Sequence, residues 1–221
     1  MNFKKPLLNS SFAILICTLF NLNYVFAQFQ INNSSNFKLT YKSQIESAIE
    51  SMEYDFVGNY IVQQWTGAGL NKFFKEPIIQ ILDIRDQSVY EYKPESKTIH
   101  DTTPPVRFSS DPHSIMNQKD SAINGETYQY FLTTKENDFG STPLISHVFF
   151  LKELELPNKY RIISEIYGGK SNIFPLYHSG VIFSKLTKEG SKTITHFELE
   201  SISESDYSEE EILEILSLLD K

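Results

Sequence analysis

Cysteine is all but missing from this chain. The single one, Cys17, lies in an N-terminal stretch with the parts of a cleavable export signal: Lys4 and Lys5, the apolar run from Phe12 to Phe20, and the Val25-Phe26-Ala27 ending. The positive start sets orientation, the apolar core is short for a membrane span, and Val25 and Ala27 suit a cut after Ala27. An uncleaved anchor from Leu7 to Ala27 fits less well, because Asn9, Ser10, Ser11, Asn21 and Asn23 would lie in the bilayer. Lipid attachment at Cys17 is rejected because Ile16 stands where a small residue is required. Once the signal is removed, residues 28–221 hold no thiol, which excludes disulfides, thiol nucleophiles and thiolate metal sites. The expected address is the periplasm or the extracellular space, with no stable transmembrane segment after cleavage.

Basic residues are also scarce. The full sequence has 20 Lys and Arg against 28 Asp and Glu; cleavage removes two lysines and no acid, leaving 18 against 28 and a formal charge of −10. Nucleic acid is thereby excluded as a partner, since its affinity rests on counterions released by clustered Lys and Arg. Anionic membrane surfaces are disfavoured for the same reason. What remains is long enough for one packed core, and we expect a single β-rich domain over residues 28–221.

Period-two alternation marks the strands. Phe37, Leu39 and Tyr41 alternate with Lys38, Thr40 and Lys42, and Tyr54 to Trp65 reads as one strand interrupted at Gly58. Between them, Ile45, Ala48, Ile49 and Met52 fall at helical spacing and predict a short helix over residues 43–53. A three-stranded meander follows from Ile78 to His100, with turns near Arg85 to Ser88 and Lys93 to Lys97. Thr102 to Asn117, with Pro104, Pro105 and Pro112, has no periodicity and predicts an exposed loop. Further strands fit Glu126 to Thr134, Ile145 to Leu151, and a hairpin of Val181 to Thr187 with Lys192 to Ile202; Tyr160 to Tyr167 is undecided between helix and strand. Ser208 and Glu211 form a capping box before the stripe of Ile212, Leu213, Ile215, Leu216 and Leu219, which predicts a C-terminal helix.

Catalytic motifs are largely wanting. His100, Asp101, Asp111 and His113 are suitable ligand types for zinc, but their spacing matches no metal site, and no metal or cofactor is expected. His178-Ser179 places a base beside a nucleophile, yet neighbours in an extended chain point to opposite faces, and no Gly-x-Ser-x-Gly turn is present. Gly67-Ala68-Gly69 lacks the third glycine of a phosphate-binding loop and reads as a turn. Glu153 and Glu155 would share a strand face, a pairing that chance supplies in so acidic a chain. No catalytic residue is assigned.

Aromatic residues, by contrast, are abundant: 17 Phe and 12 Tyr, with a single Trp. Many fall in the proposed sheet. Either they fill the core of a cysteine-free β domain, or some line an open face that takes a ligand; the candidate ligand-binding residues are Phe56, Tyr60, Trp65, Tyr90, Tyr92, Tyr128 and Tyr130.

Four segments carry a family resemblance: IIQILDIRDQSVYEYKPESKTIHD from Ile78, AINGETYQYF from Ala122, HVFFLKELELP from His147 and KTITHFELESIS from Lys192. In this order they resemble exported Bacteroidota proteins with the lipoprotein-carrier-like (LolA/LolB-like) half-barrel fold, including GLPGLI-type proteins. The GLPGLI signature itself is absent, and Phe149 stands where those families often carry tryptophan. The resemblance implies a curved antiparallel sheet or half-barrel with a C-terminal helix and one or two short covering helices, and a role in handling lipid or lipoprotein. Together these readings lead to the expectation of a mainly β, non-enzymatic envelope protein that binds lipid, lipoprotein or another apolar ligand on a concave sheet face. Two alternatives stand beside it: a hydrolase with a histidine and carboxylate site, and an envelope scaffold or surface-interaction domain without a small ligand.

Overall fold

The computed structural model describes residues 36–70, 76–103, 114–123, 126–135, 142–155, 160, 176–177 and 180–220, all within one compact unit, Ile31–Lys221. The expected export signal, the proline-containing stretch 104–113, residues 161–167 and His178-Ser179 lie outside the described residues. The protein is mainly β. Its strands are β1 (Phe37–Ser43), β2 (Ser51–Val57), β3 (Tyr60–Thr66), β4 (Ile79–Asp83), β5 (Ser88–Lys93), β6 (Thr98–Asp101), β7 (Ser114–Ile123), β8 (Glu126–Lys135), β9 (Leu144–Glu155), β10 (Leu176–Tyr177), β11 (Gly180–Glu189) and β12 (Lys192–Glu204), followed by helix α1 (Glu209–Leu216).

All join one sheet in the order β6-β5-β4-β3-β2-β1-β12-β11-β9-β8-β7, with β10 paired to β11 off this path. Every pairing is antiparallel. Two meanders are thus fused where the first strand meets the last, and β6 and β7, consecutive in sequence, form the two edges. The β1–β12 ladder shifts register between Thr40 and Tyr41, and β9–β11 shifts where Ile182 faces Phe150 while Ser184 faces Phe149. Bulges of this kind increase local twist.

Three sequence expectations are corrected. Residues 44–50 form bends rather than a helix, because the Ser43 and Ser47 hydroxyls donate to the carbonyls of Ile45 and Ile49 and so satisfy the backbone locally, in competition with helical bonds. The single strand from Tyr54 to Trp65 is instead a hairpin, β2 and β3, turning at Gly58-Asn59 with Val57 opposite Tyr60. The final residues of the expected loop, 114–117, belong to β7. The expected C-terminal helix is present as α1, continued by a 3₁₀ turn over Ser217–Asp220, and the one or two further covering helices do not occur among the described residues.

Register assigns the faces of the first meander. On one face Phe37, Leu39 and Tyr41 line up with Phe56, Tyr54 and Met52, and all six are buried. Phe37 stacks on Phe56 with centroids 4.5 Å apart and planes 11° apart, while Tyr160 meets Phe56 edge-on at 5.0 Å and donates its hydroxyl to the Gly58 carbonyl at 3.0 Å. On the opposite face Val57, Tyr60, Val62, Ile79 and Ile81 form a second cluster, closed by Ile212 of α1 and flanked by Tyr90, Tyr92, Ile215 and Leu216. Complete burial of an isoleucine is worth about 1.5–3 kcal/mol, and Ile212 is fully buried. The helix begins as the sequence predicts: Glu211 N–H donates to Ser208 Oγ at 3.2 Å and Ser208 N–H to Glu211 Oε2 at 2.7 Å.

The approach to the helix is pinned by Asp55, which is buried. Its Oδ1 accepts from the Ser205 hydroxyl at 2.8 Å and from Asp206 N–H at 2.9 Å, while Oδ2 has no partner. Burial pushes this carboxyl above its ordinary value, the Asp206 carboxylate adds to the rise, and the two hydrogen bonds and Lys38 oppose it. The folded chain therefore holds this proton more tightly than the unfolded chain, so the group's contribution grows as pH falls through its folded value and is lost above it. Asp55→Asn is expected to gain stability relative to the parent as pH rises from about 4 to about 7. Urea unfolding midpoints of the two proteins, compared across that interval, check it.

Candidate functional site

The face that carries Phe56 changes character along β3, β4 and β5. Ile61, Leu82 and Val89 pair across these strands and are buried. Two residues further along the same face the row is polar, with Gln63 opposite Gln80 and Gln80 opposite Glu91. Beyond Gln63 on β3 comes Trp65, and there the sheet opens into a cavity of about 450 Å³. Its walls are the turn from Thr66 to Leu70 on one side and Glu76-Pro77-Ile78, leading into β4, on the other.

Each wall is held by local chemistry. Gly67 and Gly69 let the turn lie directly on the β1–β2 connection, where a Cβ on Gly69 would stand 2.5 Å from Ala48 Cα. Ala68 N–H donates to Glu50 Oε1 at 3.0 Å, and Glu50 N–H to the Thr66 carbonyl at 2.8 Å. On the other side both carboxylate oxygens of Glu76 are engaged by Ser96, from its N–H at 3.0 Å and its hydroxyl at 2.9 Å. In the polar row Gln80 Nε2 donates to Glu91 Oε1 at 3.4 Å and Gln63 Nε2 to the Tyr54 hydroxyl at 3.3 Å. Burial drives the Tyr54 phenol far above its ordinary value, with the Trp65 indole pulling the other way; the indole N–H itself meets no acceptor in good hydrogen-bond geometry.

The seven aromatic candidates do not share a surface. Trp65 lines the cavity. Phe56 lies on the same face but is fully buried in the ring stack, and Tyr60, Tyr90 and Tyr92 lie on the opposite face beneath α1. Tyr128 and Tyr130 belong to the second meander. The Tyr128 ring packs against Phe183 at 5.2 Å, and Tyr130 against Phe149 at 5.0 Å. The cavity's polar residues, Gln63, Gln80 and Glu91, carry no motif; the signal available was two glutamines at inward positions of otherwise apolar strands.

Histidine chemistry gathers in two places on the second meander. His147 Nδ1 lies 2.9 Å from the Tyr130 hydroxyl, and burial, with Lys188 nearby, holds the imidazole below its ordinary pKa. His196 Nε2 lies 3.5 Å from Ser184 Oγ and 3.2 Å from Glu198 Oε1. A nucleophile–base–acid relay uses both ring nitrogens, one for each partner, whereas here serine and carboxylate crowd the same nitrogen. Ser184 is also only 2% exposed, out of reach of a substrate. His100 and Asp101 are adjacent on β6 and pair toward Glu91 and Tyr90 on opposite faces, while Asp111 and His113 lie outside the described residues. Among the described residues no three His, Asp or Glu side chains converge as a metal cage would need, and no helix is long and apolar enough to cross a membrane.

No protein-family model matches the chain, and a search of curated proteins finds no match either.

Proposed function

We propose that the chain is a non-enzymatic, exported binding module whose sheet curves into a half-barrel and holds a small ligand in the cavity beside Trp65. Curvature is supported by chain length. The strand order puts β6 and β7 at opposite edges, and eleven strands laid flat at about 4.8 Å spacing would separate those edges by about 48 Å. The connection from Asp101 to Ser114 reaches at most about 43–47 Å when fully extended, so a curled sheet accommodates it and a flat one does not. A curved sheet is also the architecture implied by the resemblance to lipoprotein-carrier-like families, and the N-terminal signal supports a periplasmic or extracellular site of action.

The observation that carries the ligand reading is the cavity itself. Strands β2 to β4 carry buried side chains on both faces next to it, and at this place an aromatic ring and a row of amide and carboxylate groups meet open space, which a small-molecule site requires. Binding then needs no movement of the core. The chain recovered from the envelope of its producing cell is expected to carry a noncovalent adduct in native mass spectrometry. Ala68→Phe, which fills the cavity from an exposed position, is expected to lose that adduct without a change in thermal midpoint. An adduct retained by the variant, or none in the parent, overturns the reading.

A further inference from the structure

We infer that the ligand class is a neutral carbohydrate, with a sugar ring laid against Trp65 and its hydroxyls on the row of Gln63, Gln80 and Glu91; this rests on the cavity being a ligand site.

Charge weighs against the first competitor. Among the described residues that line the cavity there is no Lys, Arg or His, while Glu76 and Glu91 both do. A fatty-acid carboxylate, a phosphate or an anionic headgroup would meet like charge in a chain already at −8 overall. A neutral acyl chain meets a different obstacle. It would cover the half-buried Gln80–Glu91 pair, which the register sets beside Gln63, and would return no hydrogen bond to the second oxygen of Glu91, so the desolvation of that carboxylate would go uncompensated.

A cation is the remaining rival. Glu76 accepts from Ser96 at both oxygens and Glu91 accepts from Gln80, so both carboxylates are already positioned by neutral donors, and a cation would satisfy only these two acidic side chains of the lining. The amide groups of Gln63 and Gln80, which both donate and accept, would gain no acceptor from it for their N–H groups. A sugar uses all of them, since each hydroxyl can donate to an amide or carboxylate oxygen and accept from an amide N–H, while the C–H face of the ring takes the apolar indole. The volume of about 450 Å³ lies toward the small end for ligand sites and suits a short saccharide rather than a polymer segment threaded through the sheet.

Trp65 is the only tryptophan in the chain, so its emission reports on this cavity alone. Recombinant mature protein is titrated with maltose, cellobiose, xylobiose and di-N-acetylchitobiose, and in parallel with dodecanol, laurate and spermidine. At least one disaccharide is expected to give a saturable change in Trp65 emission. Gln80→Leu, close to isosteric, is expected to weaken it about ten-fold or more with the thermal midpoint unchanged, and Glu91→Gln, which keeps a planar acceptor, by less than about ten-fold. Saturable binding of dodecanol or laurate but of no disaccharide overturns the carbohydrate assignment and leaves the cavity a ligand site. Binding of spermidine that Glu91→Gln abolishes does the same in favour of a cation. No response to any disaccharide also overturns it, whatever adduct native mass spectrometry finds.

Discussion

Phe56→Ala is expected to lower the unfolding free energy by about 3–5 kcal/mol, the range for deleting a fully buried aromatic side chain. The ring is 0% exposed. It is covered on one side by Phe37, stacked at 4.5 Å, and met by the edge of Tyr160 at 5.0 Å, so its removal loses the transfer of the ring from water, leaves a cavity, and breaks two aromatic contacts worth about 0.5–1.5 kcal/mol each. The backbone around it cannot collapse easily, because β2 is hydrogen-bonded on both sides, to β1 and to β3. Against a typical total of about 5–15 kcal/mol, such a loss removes a large share of the stability. Urea unfolding followed by circular dichroism measures it. The result also separates two roles that the sequence left open for this residue. As a core ring its truncation lowers the unfolding midpoint and leaves the Trp65 response to ligand intact in the folded fraction; as a ligand-facing ring it would do the reverse.

Legibility in the sequence followed whether a feature is local. Strand β1, the meander of β4 to β6, the β11–β12 hairpin and the capped helix were all readable, because period-two alternation, turn residues and the Ser208–Glu211 pair act within a few positions. The stretch 43–53 was misread since Ile45, Ala48, Ile49 and Met52 do lie at helical spacing. Met52, Tyr54 and Phe56 alternate equally well, and pairing with β1 on one side and β3 on the other decides between the two patterns. Tyr54 to Trp65 reads as one strand with a bulge or bend at Gly58, although Gly-Asn between apolar runs is also a hairpin signal. Face assignment was the part no local pattern could supply. Phe56 and Tyr60 are four residues apart with a turn between them, and that turn sends one ring into the stack with Phe37 and the other beneath α1. Trp65 was among the aromatic candidates, but Gln80 and Glu91 become its neighbours only through the pairing of three strands.

The turn that walls the cavity provides the sharpest test of how closely this fold is fitted, in a comparison of two glycines. A methyl group on Gly67 would stand 2.2 Å from the Ala48 carbonyl oxygen and 2.8 Å from the Glu50 nitrogen. Both are backbone atoms, and the strands they lead into are held by the Glu50 N–H to Thr66 bond at 2.8 Å and the Ala68 N–H to Glu50 bond at 3.0 Å. Neither can give without breaking those bonds, so Gly67→Ala combines overpacking, about 1–3 kcal/mol, with lost hydrogen bonds at about 0.5–1.5 kcal/mol each. A total near 3 kcal/mol or more is expected. Gly190, in the β11–β12 turn, presents the opposite case: its φ is +57°, but an added methyl meets only Thr142 Cγ2 at 3.9 Å. Gly190→Ala should therefore cost only the left-handed conformation, about 1–2 kcal/mol, and Gly190→Asn less, since asparagine enters that region more readily. Equal losses for the two alanine variants in chemical unfolding would show that crowding at Ala48 is relieved by movement. Because the Thr66–Leu70 wall would be the part that moves, Gly67→Ala is also expected to shift the emission of Trp65, whereas Gly190→Ala leaves it in place.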